Sequence, residues 1–395
     1  MKVSTLALNG ALPTQQSKAV SISCSSCGRL FSGLATRCAC GGMAETTYSP
    51  AVLESGAATG FFEQFWRVLP LRSMDGVPEG LRLRSPTLRA DRLRSAIGGP
   101  ELWLKDEGRL PTGSTKARVG ALVFPFLRQY GVQEFVVSST GNTSTAIAWM
   151  ARHYPDMRVH IFVGRDFAHR LRHVTSGNVS IHVTQGNFVA AGQAAQEFAA
   201  RNDLFWEAGF FNPARRDGLK TAFIEAALVM GVAPGIYVQA VSSAMGVVGT
   251  AKGAQELSYF GLQPAQPGLV CVQQATCAPM VSAWRDHSEV IRPTDKVDHP
   301  SGIAEAILRG DPSNAYPIVY RLVRESGGTF TAVTPDEIRH AQALLAQHAG
   351  VYACEAGAAA LAGYAQLVAS GWLRGQDGPV LVNITGGRRD VLRST

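Results

Sequence analysis

Short apolar segments alternate with helical patterns along most of the chain. Segments of this kind, bounded by turn residues, are typical of strands that are buried on both faces. We predict strands at 134–138, 158–163, 181–183, 235–240, 269–273, 329–333 and 380–384. Apolar positions at helical spacing predict helices at 143–153, 190–201, 218–230, 247–259, 312–326, 335–348 and 356–370. This alternation predicts an α/β fold with parallel sheets covered by helices.

Two regions lack this alternation. Residues 50–100 are rich in Arg and Pro, and we predict an irregular connector that wraps the main body. Internal repeats are absent from the sequence, and no GxGxxG motif follows the first predicted strand. A dinucleotide-binding fold therefore lacks its sequence signature.

Length and composition limit the class of protein. The 395 residues, 46% of them apolar, predict two or three domains with ample core. Charged residues make up 17%, which excludes wholesale disorder. Because no apolar run reaches 18 residues, we expect no membrane-spanning segment. The apolar stretch within residues 1–9 is too short for a secretory signal.

The chain carries 37 Lys and Arg against 30 Asp and Glu, a net charge of +7. These basic residues are spread along the sequence, and no stretch combines dense basic residues with aromatics. We therefore expect a solvated basic surface and no nucleic-acid partner. A lysine that does chemistry has few candidates, which are Lys2, Lys18, Lys105, Lys116, Lys220, Lys252 and Lys296.

Four of the seven cysteines lie close together near the start of the chain. Cys24-x2-Cys27 and Cys38-x-Cys40 are separated by ten residues, and a Gly pair follows. Two close thiol pairs can place four thiolates around Zn²⁺, so the spacing predicts a structural zinc ribbon within residues 1–48. The alternative is a ribbon that keeps its shape with free thiols or a disulfide. The odd number of cysteines favours a reducing, cytoplasmic compartment.

The segment LPTGSTKARVG at 110–120 resembles a loop that enters a helix. Ser114 or Thr115 could cap that helix, with Lys116 in its first turn. Burial and the positive end of a helix dipole both favour a neutral lysine, and a neutral amine can form a Schiff base. The alternative is an ordinary exposed lysine.

Two further segments each follow a predicted strand and open a helix. In VSSTGNTSTA, at 137–146, backbone N–H groups at the turn could bind a carboxylate, and Asn142 could hydrogen-bond a phenolic oxygen. In VQAVSSAMGVVG, at 238–249, the turn could surround a phosphate with backbone donors and two hydroxyls. The alternative in both cases is an ordinary capped turn.

The last predicted strand ends in VNITGGRRD, at 382–390. Thr385 would point from the carboxyl end of the strand into the crevice where open α/β sheets bind ligands. Its hydroxyl could face a heterocycle nitrogen.

Taken in order, the Cys ribbon, PTGSTK, STGNTS, the small-residue turn and the final TGG resemble the threonine synthase-like branch of the fold type II pyridoxal-phosphate (PLP) enzymes, which are similar to tryptophan synthase β. The resemblance covers residues 20–390 and is greatest to cysteate synthases, because APMVSAW at 278–284 matches a stretch of theirs. It implies two parallel-sheet, three-layer domains with PLP between them. The large domain would comprise 49–130 and 188–395, and the small domain 131–187. We also expect a homodimer.

The resemblance assigns roles by position. Lys116 matches the Schiff-base lysine, Asn142 the residue on the cofactor 3-oxygen, and Thr385 the partner of the pyridine nitrogen. A hydroxyl on that nitrogen suits elimination and replacement better than transamination. The loop for the substrate carboxylate is matched by Ser139, Thr140, Gly141 and Thr143. The cofactor-phosphate loop is matched by Ser242, Ser243, Ala244, Met245 and Gly246.

This chain also departs from threonine synthases, which usually continue the lysine motif with Asp-Arg-Gly. Here the lysine is followed by Ala117-Arg118-Val119, and the phosphate loop is less glycine-rich. Arg388 and Arg389 add two cations after the last motif. These departures argue against a housekeeping threonine synthase.

The leading hypothesis is β-replacement on an O-activated amino acid. O-phosphoserine with sulfite, an anionic nucleophile, would give cysteate or a similar β-substituted alanine, as in many natural-product pathways. Arg118, Arg388 or Arg389 would hold the anionic group, unless they form surface salt bridges. One alternative is γ-replacement on O-phosphohomoserine, as in threonine synthase. An alternative of another class is a non-catalytic relative or a nucleic-acid-binding ribbon protein.

Overall fold

The computed structural model describes residues 18–48, 60–139, 141–171, 176–186, 188–259 and 266–388. The chain divides into two compact units. Unit 1 comprises 1–84 and 116–218, and unit 2 comprises 85–115 and 219–395. The chain therefore passes between the units after residues 84, 115 and 218.

The strands within the described residues are β1 (Val20–Cys24), β2 (Leu30–Phe31), β3 (Ala44–Tyr48), β4 (Thr87–Arg89), β5 (Leu102–Asp106), β6 (Glu134–Ser138), β7 (Arg158–Gly164), β8 (Val179–Thr184), β9 (Phe205–Trp206), β10 (Ile236–Ala240), β11 (Gly268–Gln274), β12 (Thr329–Val333) and β13 (Val380–Ile384).

The α-helices there are α1 (Phe61–Phe65), α2 (Asp91–Ile97), α3 (Lys116–Arg128), α4 (Asn142–Ala151), α5 (Phe188–Arg201), α6 (Pro213–Met230), α7 (Met245–Tyr259), α8 (Pro279–Arg285), α9 (Tyr316–Glu325), α10 (Pro335–Ala349) and α11 (Glu355–Ala369). None of these helices is long and apolar enough to cross a membrane.

The described residues of unit 1 form two sheets. The N-terminal ribbon is antiparallel, with strand order β2-β1-β3. The second sheet has the order β8-β7-β6-β9, and all its strands are parallel. Helix α5 packs on this sheet through Val136, Phe162, Ala195 and Ala199.

The part of unit 2 that the structure describes is built on one sheet with strand order β12-β11-β10-β13-β5-β4. Its strands are parallel except β4, which is antiparallel to β5. An apolar core of strand residues and α11 alanines fills the space on one face. Gln239 pairs with Asn383, and Ile384 with Asp106. The carboxyl ends of β10, β13 and β5 therefore lie side by side.

The predicted parallel sheets are confirmed, and the strands at 134–138, 329–333 and 380–384 have the predicted bounds. The prediction of an irregular connector at 50–100 is wrong in part, because α1, β4 and α2 lie there. Helix α3 packs on α4, and both helices belong to unit 1. The predicted domain boundaries stay a prediction.

Candidate active site

Lys116 begins helix α3, and the side chains that follow it hold the helix in place. Residues 117–127 are all buried, whereas Lys116 itself is half-buried. A helix that is buried on every side is fixed by packing and not by its own propensity. The lysine therefore has one rigid attachment point and a side chain that reaches solvent.

Helices α3 and α4 run in the same direction. A methyl group built on Gly120 would lie 2.6 Å from the carbonyl oxygen of Ala146, so the two backbones touch there. Arg128, the last residue of α3, forms an ion pair with Asp156, just beyond α4, at 2.9 Å. Since the C-terminal ends lie together, the first residues, Lys116 and Asn142, lie at the same end of the helix pair.

The turn between β6 and α4 is closed by its own polar groups. Gly141, with φ +136°, precedes α4, and its N–H donates to Ser139 Oγ at 3.4 Å. The hydroxyl of Ser144 donates to the carbonyl oxygen of Ser139, also at 3.4 Å. Thr143 is buried and Asn142 is half-buried. Thr140, the other predicted carboxylate ligand, lies outside the described residues.

In unit 2, residues 241–244 connect β10 to α7. Ala244 has φ +57°, a left-handed conformation that is unusual for alanine. The N–H groups of Met245 and Gly246, in the first helical turn, have no intrahelical acceptor. A methyl group on Gly246 would lie 2.6 Å from the side-chain nitrogen Nε2 of Gln239, so a larger residue there would displace the Gln239 side chain. Backbone donors at a helix N-terminus suit an anion.

Thr385 follows β13 and is half-buried. Its carbonyl oxygen accepts the N–H of Thr115 at 2.9 Å, and Ser114 forms an antiparallel bridge with Gly386. The predicted TGG motif thus pairs with the segment that immediately precedes Lys116 in the chain.

Sequence reasoning missed a buried polar network beneath these loops. Tyr237 OH donates to Gln239 Oε1 at 2.7 Å, and Asn383 Nδ2 donates to Tyr237 OH at 2.7 Å. Burial raises the pKa of Tyr237 far above its usual range, so the phenol stays protonated. The sequence did contain a signal for this network, because Gln239 and Asn383 are polar residues within the otherwise apolar strands β10 and β13.

Two more hydroxyl groups lie in the loop that immediately precedes Lys116. Thr112 and Ser114 are at most 4% exposed, and neither side-chain oxygen has a hydrogen-bond partner among the described residues. A buried hydroxyl group without a hydrogen-bond partner lowers the stability of the folded state. They are therefore candidates to bind a ligand.

The predicted arginines differ in their surroundings. Arg118 is fully buried in α3, so the alternative of a surface salt bridge is wrong for this residue. Arg388 is exposed, and its backbone N–H donates to the carbonyl oxygen of Tyr352 at 2.8 Å. A cavity of about 200 Å³ beside it is lined in part by Asp106, Arg109 and Tyr352. Arg389 lies outside the described residues.

The four N-terminal thiols converge, as the spacing predicted. The sulfur atoms of Cys24, Cys27, Cys38 and Cys40 lie within 4.8 Å of one another. Cys24 and Cys40 are 3.4 Å apart, and Cys27 and Cys38 are 3.8 Å apart. The N–H groups of Cys27 and Ser26 lower the pKa of the Cys24 thiol to about 6, which favours a thiolate there. The N–H of Gly42 lowers the pKa of the Cys40 thiol, but hydrogen bonds to the other three thiols raise it to about 12. Tetrahedral zinc with Zn–S bonds of about 2.3 Å needs sulfurs about 3.8 Å apart, so this cluster could hold the ion.

Residues 79–386 match the family described as pyridoxal-phosphate dependent enzymes. The chain belongs to this family. It is 27% identical over 378 residues to threonine synthase of Methanocaldococcus jannaschii, which covers 93% of this chain and 92% of the relative. Identity to cysteate synthase of Methanoregula boonei is 28%, over 78% of this chain and 76% of the relative. The processed form of threonine deaminase isoform 2 from Solanum lycopersicum superposes with a TM-score of 0.62 and 16% identity, covering 78% of this chain and 84% of the other.

The protein is therefore a PLP-dependent enzyme of fold type II, which confirms the resemblance and the cofactor. Its residues fit that cofactor. The half-buried Lys116 can hold an aldehyde, and the N-terminus of α7 can hold a phosphate. The buried hydroxyls of Thr112 and Ser114 offer further partners.

Proposed function

We propose that the enzyme catalyses β-replacement, an elimination followed by an addition, on an amino acid with an activated side-chain oxygen. O-phosphoserine is the leading substrate and sulfite the leading nucleophile, which would give cysteate. The observation that carries the proposal is the common end of α3 and α4, where Lys116 and Asn142 begin two packed helices. The similarity to both threonine synthases and a cysteate synthase supports the same reaction class.

Lys116 is the residue that we propose to hold PLP and to move the proton at the substrate α-carbon. Two rival lysines are engaged elsewhere within unit 2. Lys105 Nζ lies 3.2 Å from Glu225 and donates to the carbonyl oxygen of Ser85 at 2.7 Å. Lys220 Nζ lies 2.9 Å from Glu256. A lysine amine that is held by a carboxylate in this way is poorly placed to attack an aldehyde.

The remaining roles follow from the loops. When bound, PLP supplies an electron sink that stabilises negative charge on the substrate α-carbon. The turn at 242–246 would bind the cofactor phosphate, Thr385 would face the ring nitrogen, and Asn142 would face the phenolic oxygen. The turn at 139–143, which ends at the N-terminus of α4, would bind the substrate carboxylate.

Charge supports an anionic partner for the side chain. Arg388 follows the Thr385 motif and is exposed next to the cavity that Arg109 lines. A planar guanidinium suits the oxygens of phosphate or sulfite. Arg118 lies two residues after Lys116 and is the buried candidate for the same role.

The second candidate function is γ-replacement on O-phosphohomoserine. The observation in its favour is the similarity to threonine synthase along 93% of this chain. Both reactions use the same proton transfer at the α-carbon. In β-replacement the phosphate leaves from the β-carbon, and in γ-replacement it leaves from the γ-carbon.

We also propose that the four N-terminal cysteines bind one structural Zn²⁺. All four ligand positions would be occupied by thiolates, so no position would remain for a substrate.

Borohydride reduction followed by peptide mapping tests the assignment of the lysine. We expect the pyridoxyl label on Lys116, and Lys116→Ala should lose the visible absorbance of bound cofactor. Label on Lys105 or Lys220 would overturn the assignment.

Mass spectrometry of products tests the reaction. O-phosphoserine, O-acetylserine and O-phosphohomoserine are each incubated with a panel of nucleophiles that includes sulfite. We expect cysteate from O-phosphoserine. Arg388→Glu should raise KM for the anionic partner. Arg374→Glu, at the opposite end of β13, is the charge-matched control. If O-phosphohomoserine is the only one of the three substrates that releases its leaving group, the reaction is γ-replacement and not β-replacement.

A further inference from the structure

The N-terminal ribbon is held to unit 1 by the start of helix α6. Arg216 donates to the carbonyl oxygen of Ala44 and lies 3.3 Å from Glu45 Oε1. Its other terminal nitrogen donates to the carbonyl oxygen of Phe210 at 2.5 Å. The hydroxyl of Thr46 donates to Asp217 Oδ2. Strand β3 is thus bound along three successive residues by two charged side chains of one helical turn.

These contacts are shielded from water. Arg216 is 1% exposed, Asp217 is 0% exposed and Thr46 is 2% exposed. A buried charged group cannot replace a lost protein partner with solvent, so losing a partner forces nearby groups to move. The attachment is therefore stiffer than a surface contact between the same residue types.

The same turn of α6 touches the helix that begins with Lys116. A methyl group built on Gly218 would lie 2.4 Å from the carbonyl oxygen of Arg118. The backbones of the two helices are therefore in contact one residue after Asp217 and two residues after Lys116. A shift of the start of α6 cannot be absorbed by a flexible side chain at this point.

We propose that Thr46, Arg216 and Asp217 form a ribbon clamp, a set of positioning residues through which the N-terminal ribbon fixes the first turn of α3 and hence Lys116. The path runs from β3 through the clamp to Gly218, Arg118 and Lys116, entirely within unit 1. This inference rests on the proposed role of Lys116. It gives the ribbon a task in cofactor binding although the ribbon holds no residue proposed to touch the cofactor.

Thr46→Val tests the clamp, because it removes the hydroxyl and keeps the shape. Thr46→Ser keeps the hydroxyl and is the rescue variant. Thr47→Val is the matched control, since Thr47 is the next residue of β3 and is exposed. Its side-chain hydrogen bond among the described residues, at 2.6 Å to Ser21, stays within the ribbon. If Thr46→Val does not fold, Glu45→Gln weakens the contact with Arg216 instead.

Three measurements are made on the full chain. These are the PLP dissociation constant, the pH profile of the bound-cofactor absorbance, and hydrogen exchange of the peptide that carries Lys116. We expect Thr46→Val to weaken PLP binding about threefold or more, within the range for residues that act through packed neighbours. The pH profile should shift and exchange around Lys116 should rise, whereas Thr46→Ser and Thr47→Val should resemble the wild type.

The outcomes separate the two proposals. If wild-type label maps to Lys116 and Thr46→Val matches Thr47→Val in all three measurements, the clamp is overturned and the proposed function stands. If wild-type label maps to another lysine, the proposed function fails first and the clamp fails with it.

Discussion

Asp106 offers a direct test of the electrostatics at the carboxyl edge of the unit 2 sheet. It is the last residue of β5, is 6% exposed and accepts the N–H of Gly108 at 3.1 Å. Burial raises the pKa of this carboxyl to about 6, although the N–H of Gly108 and the charge of Arg109 lower it. Asp106→Asn keeps the shape and an acceptor oxygen but cannot ionise.

Because the pKa of Asp106 is raised, the stability of the wild type should fall as the pH rises. A carboxyl with a raised folded-state pKa contributes stability below its unfolded pKa and loses that contribution as pH rises through the folded value. The change from 3.8 to about 6 corresponds to about 3 kcal/mol of unfolding free energy. Of this, about 2 kcal/mol is lost between pH 4 and pH 7. Asp106→Asn should therefore gain stability relative to the wild type over this interval.

Urea unfolding at fixed ionic strength, from pH 4 to pH 8, measures the difference. Asp298→Asn, which removes an exposed carboxylate, is the matched control and should follow the wild type. Parallel pH dependence of the wild type and Asp106→Asn would refute the reasoning, because it would mean that Asp106 titrates alike in the folded and unfolded chains.

Three further predictions concern other parts of the molecule. Lys105→Met should lower the unfolding free energy by about 3–5 kcal/mol, because it leaves Glu225 buried without its cation, and adding Glu225→Gln should recover part of the loss in urea unfolding. A Lys105→Met variant as stable as the wild type would contradict the buried ion pair. Metal analysis should find about one Zn²⁺ per chain, and Cys27→Ser should lower both this ratio and the melting temperature. Metal-free protein with unchanged melting would show that only the shape of the ribbon remains. Thr385→Asp should increase the share of transamination among turnovers, measured by product analysis, because a carboxylate favours a protonated ring nitrogen. An unchanged share would argue against the placement of Thr385.

Sequence patterns predicted the strands and helices in which apolar residues are buried without interruption. The segment at 380–384 is apolar except for Asn383 and became β13 with the predicted bounds. Strand β5 was missed because Lys105 and Asp106 made it look polar, although both side chains are buried. Their partners, such as Glu225, lie far away in the sequence, and no local pattern reveals them.

The start of helix α6 was predicted wrongly for the same reason, because its charged residues have partners that are distant in the sequence. The predicted start was residue 218, and the observed start is Pro213. The omitted turn contains Arg215, Arg216 and Asp217, which read as solvent-exposed loop residues. They are helical and buried because Glu207 and the ribbon supply partners for their charges. For the site, the motifs predicted Lys116 and Thr385, but the bridge between Ser114 and Gly386 requires the folded chain.

The position of β13 in the unit 2 sheet has a consequence for protein synthesis. This strand lies between β10 and β5, yet it follows both of them in the sequence, at residues 380–384. Until it leaves the ribosome, β10 and β5 each present an unpaired edge, and exposed strand edges promote aggregation. The sheet therefore closes only after its other five strands have been synthesised. A truncation that removes β13 and the residues after it would split the sheet into two fragments.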